Sequence, residues 1–413
     1  MTDPRLSPHR SEPGGHGLPP RFSDIEHGPA SIGSRPRRRP SRRARSWVLL
    51  SAGLLIAVVA AGIVQVTAST GYDQARAAFE EIAAEDRTAS DELRRSAEEA
   101  TASARAADEI IAASSGSIIR AEDVTAVGAA SALVDEAASA STADATSPVP
   151  EAGVKPLFAW DLHAESDRLR TDAAAMEERR GTLAAAHDRL DDASAALVAA
   201  GSATLRSAAS LVPALEQQFP SARTGDLLAL REAGTALESS AGAMNKSAVN
   251  AYSAFEASAA QVRASNDAEL AEKAGPLQSV RLEVEAYARS IAGGILLDFD
   301  WAPLVNGYGG ADSIGGLTSW NSGTGSGGFA TITLSDSVAE FWPEDSARAL
   351  VTHEVGHAIS AKCWALFDWE DRAANETWAT AWAISHGETA DANGVWLYGY
   401  PPQAVIDTAA TCR

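Results

Sequence analysis

The spacing of apolar positions changes several times along the 413-residue chain, and each change predicts a different element. Residues 1–45 carry Pro, Gly, Ser, His and Arg with no apolar period, too little apolar area to offset ordering entropy, which predicts a disordered tail. From Trp47 to about Ala68 no charged residue occurs. At roughly 1.5 Å of rise per residue such a run crosses a bilayer core of about 30 Å, so a transmembrane helix is expected over 46–68. Beyond it Tyr72, Phe79, Leu93, Ala100 and Ala107 share one heptad position, interrupted by Asp86, and predict the first part of a helical stalk over 69–137. Residues 138–156, with Pro148, Pro150 and Pro156, read as a linker. In 157–290 Leu162, Leu169, Met176, Leu183, Leu190 and Leu197 follow at seven-residue intervals, a coiled coil or antiparallel hairpin that continues the stalk with breaks near Pro213, Pro220 and Pro276. The remaining core positions are Ala, Ser or charged, so the packing is expected to be thin and to depend on a partner.

After Gly293-Gly294 the pattern turns to Trp, Gly and short β-like runs, and eight of the ten Trp lie between Trp301 and Trp396, which places a core-forming domain at 291–413. Its glycine runs, such as Gly307-Tyr308-Gly309-Gly310, lack the strand-to-helix setting of a phosphate loop. Phe329–Ser335 alternates as a half-buried strand, and a helix is expected from near Pro343, capped by Asp345 or Ser346, through Ala361. The predicted class is α+β: a small domain behind a membrane helix and a long coiled-coil-like stalk.

Charge sharpens this picture. The formal net charge is -21, yet residues 1–45 hold ten Arg against Asp3, Glu12, Asp24 and Glu26. Arg before the apolar run and none just after it puts the N-terminus in the cytoplasm and the rest outside, in a single pass through the cell membrane. A cleavable signal peptide ending near Val66-Thr67-Ala68 is the alternative. The acidic body excludes nucleic acid as a partner, because phosphate contacts need clustered Lys and Arg. The only cysteines, Cys363 and Cys412, are expected to form a disulfide if the domain lies outside the cytoplasm.

The chemistry concentrates in His353-Glu354-Val355-Gly356-His357. Two His four residues apart on a helix share one face and reach one tetrahedral ion, and Glu354 lies beside it, where it takes a proton from water. The segment 329–386 resembles the zincin metallopeptidases, and within them the gluzincin branch, in which a Glu on the following helix is the third ligand. Asn375-Glu376 stands where thermolysin-like members have Asn-Glu, whereas Thr380 stands where they have an Asp that orients a ligand imidazole, so the partner of His353 is left unassigned. The metzincin pattern is not met, since Ser360 and Cys363 occupy its places. Asp368, Asp371 and His386 are rival third ligands.

The resemblance implies Zn2+ held by His353, His357 and Glu376, Glu354 as general base, and a membrane-anchored endopeptidase that hydrolyses peptide or protein substrates by metal-activated water. It also implies 329–335 as the peptide-binding edge, and His386, Tyr398 or Tyr400 as the oxyanion-steadying group. Two alternatives share these residues: a cell-envelope coiled-coil scaffold with a structural or inactive zinc domain, and a zinc amidase acting on cell-wall peptides. The stalk is expected to support a homo-oligomer, or to be a plain spacer.

Overall fold

The computed structural model describes residues 42–413 apart from 115, 117, 311–312 and 323–327, and the expected disordered tail therefore lies almost wholly outside the described residues, as does most of the glycine-rich stretch 323–328. Two compact units result, Met1–Ser69 and Thr70–Arg413. Helix α1 (Arg42–Ala113) begins in the first and ends in the second. In the first unit Leu50, Leu54, Ile56, Val58, Ile63 and Val66 are all exposed, a surface that water does not favour. Two described helical stretches, Leu50–Ala113 and Ala159–Gln218, are long and apolar enough to cross a membrane.

In the second unit the heptad residues find their partners inside the chain. Helices α2 (Ala121–Ala145) and α3 (Ala159–Ala209) complete a bundle with α1. All six heptad residues from Leu162 to Leu197 are buried, as are Tyr72, Phe79, Leu93, Ala100 and Ala107. Ala97, Ala104, Ala130 and Ala138 are buried too, so the small side chains that read as a thin seam pack closely against the same chain. Pairs such as Asp86 with Arg179 and Ser131 with Asp108 set the register of α1 against its neighbours. The hydropathy of α3 thus has an explanation in the bundle core. The linker is shorter than expected, because the Ala, Ser and Thr of 138–145 are tolerated in helix and α2 stops just ahead of Pro148.

Helices α4 (Val212–Gln218), α5 (Thr224–Ser240) and α6 (Lys246–Glu272) extend the bundle towards the C-terminal core. Helix α7 (Gln278–Ile291) belongs to that core: Val284 and Ala288 pack with Phe299, Leu334 and Val351. Helix α7 thus packs with the C-terminal core although it lies ahead of the boundary expected at 290/291; one amphipathic helix looks the same whether its apolar face meets a bundle or a sheet.

The sheet has three strands, β1 (Leu296–Ala302), β2 (Gly316–Asn321) and β3 (Phe329–Ser335), in the order β1-β3-β2. β1 runs parallel to β3 with Leu296 opposite Phe329, and β2 runs antiparallel with Gly316 opposite Leu334. β3 is thus central, with both flanks hydrogen-bonded, and cannot be the peptide-binding edge expected of 329–335; among the described residues the edge strands are β1 and β2, and β2 is the one that contacts Glu354.

Short α8 (Asp336–Phe341) leads to the motif helix α9 (Asp345–Ala358), which starts after Glu344 rather than being capped by Asp345 or Ser346. Beyond it come α10 (Ser360–Cys363), α11 (Arg372–Ser385), α12 (Val395–Tyr398) and α13 (Gln403–Ala409). Cys363 and Cys412 are bonded, as expected, tying the end of α10 to the end of the chain. The fold is predominantly helical with one small mixed sheet.

Candidate metal centre

Helix α9 is held on one side and free to present ligands on the other. Val351, Val355 and Ala358 are fully buried against Ile332 and Leu334 of β3, while Thr352 Oγ1 lies 2.8 Å from the Tyr287 hydroxyl of α7. Helix α11 is anchored by Trp378 and Trp382, both fully buried. The two helices cross so closely that a Cβ on Gly356 would lie 2.8 Å from the Ala379 carbonyl oxygen and 2.9 Å from its Cα. Glycine at the fourth motif position is what brings Glu376 within reach of the two histidines.

Three atoms then meet. His353 Nε2 and His357 Nε2 are 3.2 Å apart, and Glu376 Oε2 lies 3.4 Å from the first and 3.1 Å from the second. Ligands at 2.0–2.1 Å around a tetrahedral ion would be roughly 3.3 Å apart. Tautomers make the case chemical as well as metric. His353 Nδ1 faces the Asn393 carbonyl at 2.9 Å and so carries the hydrogen it donates. His357 Nδ1 faces Asn375 Oδ1 at 2.9 Å, with the Asn375 amide nitrogen donating to the Trp369 carbonyl at 3.4 Å. Both Nε2 atoms of the neutral rings therefore offer lone pairs, to each other and to a carboxylate oxygen. Three acceptors facing one another at these distances repel unless a cation sits among them, so the donor set fits a divalent metal. The same convergence acts on protons. Burial disfavours a charge on His357, yet Glu376 and Glu354 raise its pKa. Burial also works against the Glu376 carboxylate, but the two histidines outweigh it and hold that group far below the usual range.

Glu354 is buried beside this triangle, and its Oε2 accepts from the Thr318 hydroxyl of β2 at 2.7 Å. His353 and Glu354 line a cleft of about 590 Å³ that also runs past Tyr308, Gly316, Leu350, Trp396 and Tyr398. The Tyr398 ring lies parallel to that of His353, 6.1 Å between centroids. Burial first, and then the charge and hydrogen bond of Glu376, push its hydroxyl up to about 12. No family model, curated protein or solved structure matches the chain. What the centre can do is therefore argued from its own atoms.

Of the predicted site residues the structure brings together His353, Glu354, His357 and Glu376. The rivals lie outside the cluster: Asp371 caps α11 through the Ala373 amide, Asp368 is exposed, and the His386 ring packs against Trp382, 3.7 Å between centroids with the planes tilted by 34°. Among the oxyanion candidates Tyr398 lines the cleft, whereas His386 does not and Tyr400 is exposed. Sequence reasoning missed three contributors. The partner of His353 is a backbone carbonyl, that of Asn393, with Thr380 Oγ1 a distant 3.5 Å from the same nitrogen. Asn393 is held by its own amide donating to the Glu388 carbonyl at 2.9 Å, and Glu388 pairs with Arg348 of α9 at 3.1 Å. Gly394 follows with φ +106, and a Cβ there would fall 2.2 Å from Thr380 Oγ1; Asn393-Gly394, a turn dipeptide, was the signal available. Thr318, which holds Glu354, carried no signal.

Proposed function

We propose that this protein is a single-pass membrane-anchored zinc peptidase, with His353, His357 and Glu376 as the metal-holding residues and Glu354 as the general base. The observation that carries this reading is the meeting of two imidazole lone pairs and a carboxylate oxygen beside a second, non-ligating carboxylate in an open cleft. When bound, the ion would polarise water and a substrate carbonyl at neutral pH. The chain's own residues do the rest. Glu354, oriented by Thr318, accepts the proton of the attacking water and returns it to the leaving amine. The open edge of β2, antiparallel to β3, can pair with an extended peptide alongside Glu354, which moves the binding role from 329–335 to 316–321. Tyr398, parallel to His353 in the same cleft, is the candidate to steady the developing oxyanion.

The orientation, N-terminus in the cytoplasm and the domain outside, rests on the Arg-rich approach to the apolar run and on the disulfide, which suits an oxidising compartment. Glu354→Gln in the full-length chain should retain the metal and lose hydrolysis of a mixed peptide library by a factor of 10² or more, as expected for removal of a positioned general base. Metal content per chain and peptide cleavage are measured together. Cleavage undiminished in the variant would refute the assignment, and bound metal without cleavage in the wild type would favour the scaffold reading.

A further inference from the structure

One group of exposed apolar side chains in the second unit lies within reach, along the covalent chain, of the apolar run. The coil between α2 and α3 and the first residue pair of α3 present Val154, Leu157, Phe158 and Trp160 at 94%, 82%, 53% and 68% exposure. Phe158 and Trp160 stack, with centroids 4.9 Å apart and planes 6° from parallel, so they form one aromatic pair. This coil is fastened to the start of the bundle: Lys155 Nζ lies 2.6 Å from Asp73 and 5.5 Å from the centre of the Tyr72 ring. Asp73 is five residues beyond Ala68, the end of the uncharged apolar run. Five residues span at most about 18 Å of chain, however they are arranged. The apolar group is thus held close to where the chain leaves the bilayer.

We infer that this coil is a second membrane contact, with Val154, Leu157, Phe158 and Trp160 seated at the lipid headgroup level on the extracytoplasmic face. Aromatic rings with a polar edge concentrate at that depth, and aliphatic neighbours reach into the acyl boundary. The partner is the lipid surface itself. The inference rests on the proposed membrane span, and its function would be to seat the base of the bundle on the membrane.

The test uses the full-length chain in phosphatidylcholine vesicles. Its two native cysteines are bonded to each other, so a single introduced cysteine can carry an environment-sensitive fluorophore. Val154→Cys and Phe158→Cys report on the coil, Val59→Cys on the span, and Leu133→Cys, an exposed apolar position of α2, serves as the aqueous control. Expected are emission shifted to shorter wavelength at 154 and 158, loss of that emission with lipids carrying a nitroxide near the headgroup, quenching at 59 with lipids carrying the nitroxide deep in the acyl chain, about 15 Å below the headgroups, and no effect at 133. If 59 is quenched while 154 and 158 behave like 133, the lipid contact is overturned and the span stands. If 59 itself is not quenched, the span fails and the inference with it. A shift at 154 and 158 that follows protein density and resists lipid quenching means contact with a second copy, and also overturns it.

Discussion

At the scale of single residues, the centre is a problem of orientation. Each histidine is useful only if its Nε2 lone pair points at the shared centre, and that depends on what accepts from Nδ1. For His357 the acceptor is the Asn375 amide oxygen, at 2.9 Å. Asn375→Ala removes it and frees the ring to rotate or change tautomer, so metal affinity should fall 10–100-fold, read by competition against a chelator. Asn375→Asp keeps an acceptor and should retain most of the affinity; equal affinity in wild type and Asn375→Ala would show that the ring is fixed by packing alone. The asymmetry between the two histidines explains what the sequence could disclose. His353, Glu354 and His357 were legible because side-chain chemistry recurs at helical spacing, and Asn375 and Glu376 only through the resemblance to the gluzincins. The acceptor for His353 was not, because a carbonyl belongs to every residue and its placement depends on a turn forty positions away.

At the scale of elements, the bundle contains one buried charge pair where the heptad pattern breaks. Asp86 is fully buried in line with Tyr72, Phe79 and Leu93, and its Oδ2 accepts from Arg179 at 2.6 Å; Arg179 also reaches Ser90 at 3.3 Å and the Asp144 carbonyl at 3.2 Å. One residue set thereby ties α1, α2 and α3 in a single register. Asp86→Ala would leave a largely buried guanidinium without its counter-charge and should cost about 3–5 kcal/mol in urea unfolding. Asp86 Oδ1 and Arg179 Nε have no hydrogen-bond partner, so the pair is incompletely compensated. Asp86→Leu with Arg179→Met should therefore be neutral or stabilising in the same measurement, and a double variant as weak as the single one would refute that. The interruption at Asp86 was visible in the sequence, but its partner was not, since the register between helices is a property of their packing. The disulfide acts at the same scale from the other end of the chain. It closes a loop of 49 residues and carries the Cys412 carbonyl to the Trp382 indole nitrogen at 2.9 Å. Chain-entropy arguments give about 4 kcal/mol for a loop of that size. Cys363→Ser with Cys412→Ser should show a loss of that order, concentrated in α11 and α13 by hydrogen exchange, and uniform exchange rates across the domain would contradict a local role.

At the scale of the whole molecule, the helices up to α6 and the sheet domain are joined by charge as well as by chain. Lys273, nearly fully buried, pairs with Glu269 at 3.3 Å and with fully buried Glu285 at 3.1 Å, and Glu285 accepts from the Trp301 indole of β1 at 3.1 Å. Arg223, at the start of α5, reaches Asp300 of β1 at 2.9 Å, and the neighbouring Thr224 amide donates to Asp298 at 2.6 Å. A C-terminal domain cut at 291, the boundary suggested by composition, would lose Val284 and Ala288 from the core they share with Phe299 and Val351. Each such side chain is worth about 1.5–3 kcal/mol when buried, against a total stability of about 5–15 kcal/mol for a domain. A fragment 291–413 should therefore fail to fold and to hold zinc, a fragment beginning at 278 should fold but with Glu285 stripped of its lysine, and a chain beginning at 70 should match the full-length protein. Circular dichroism and zinc titration on the three distinguish these outcomes. If 291–413 folded and bound zinc as tightly as the longest chain, α7 would be an accessory to the core, and the buried Lys273–Glu285 contact a by-product of tethering instead of the joint through which bundle and metal centre are held together.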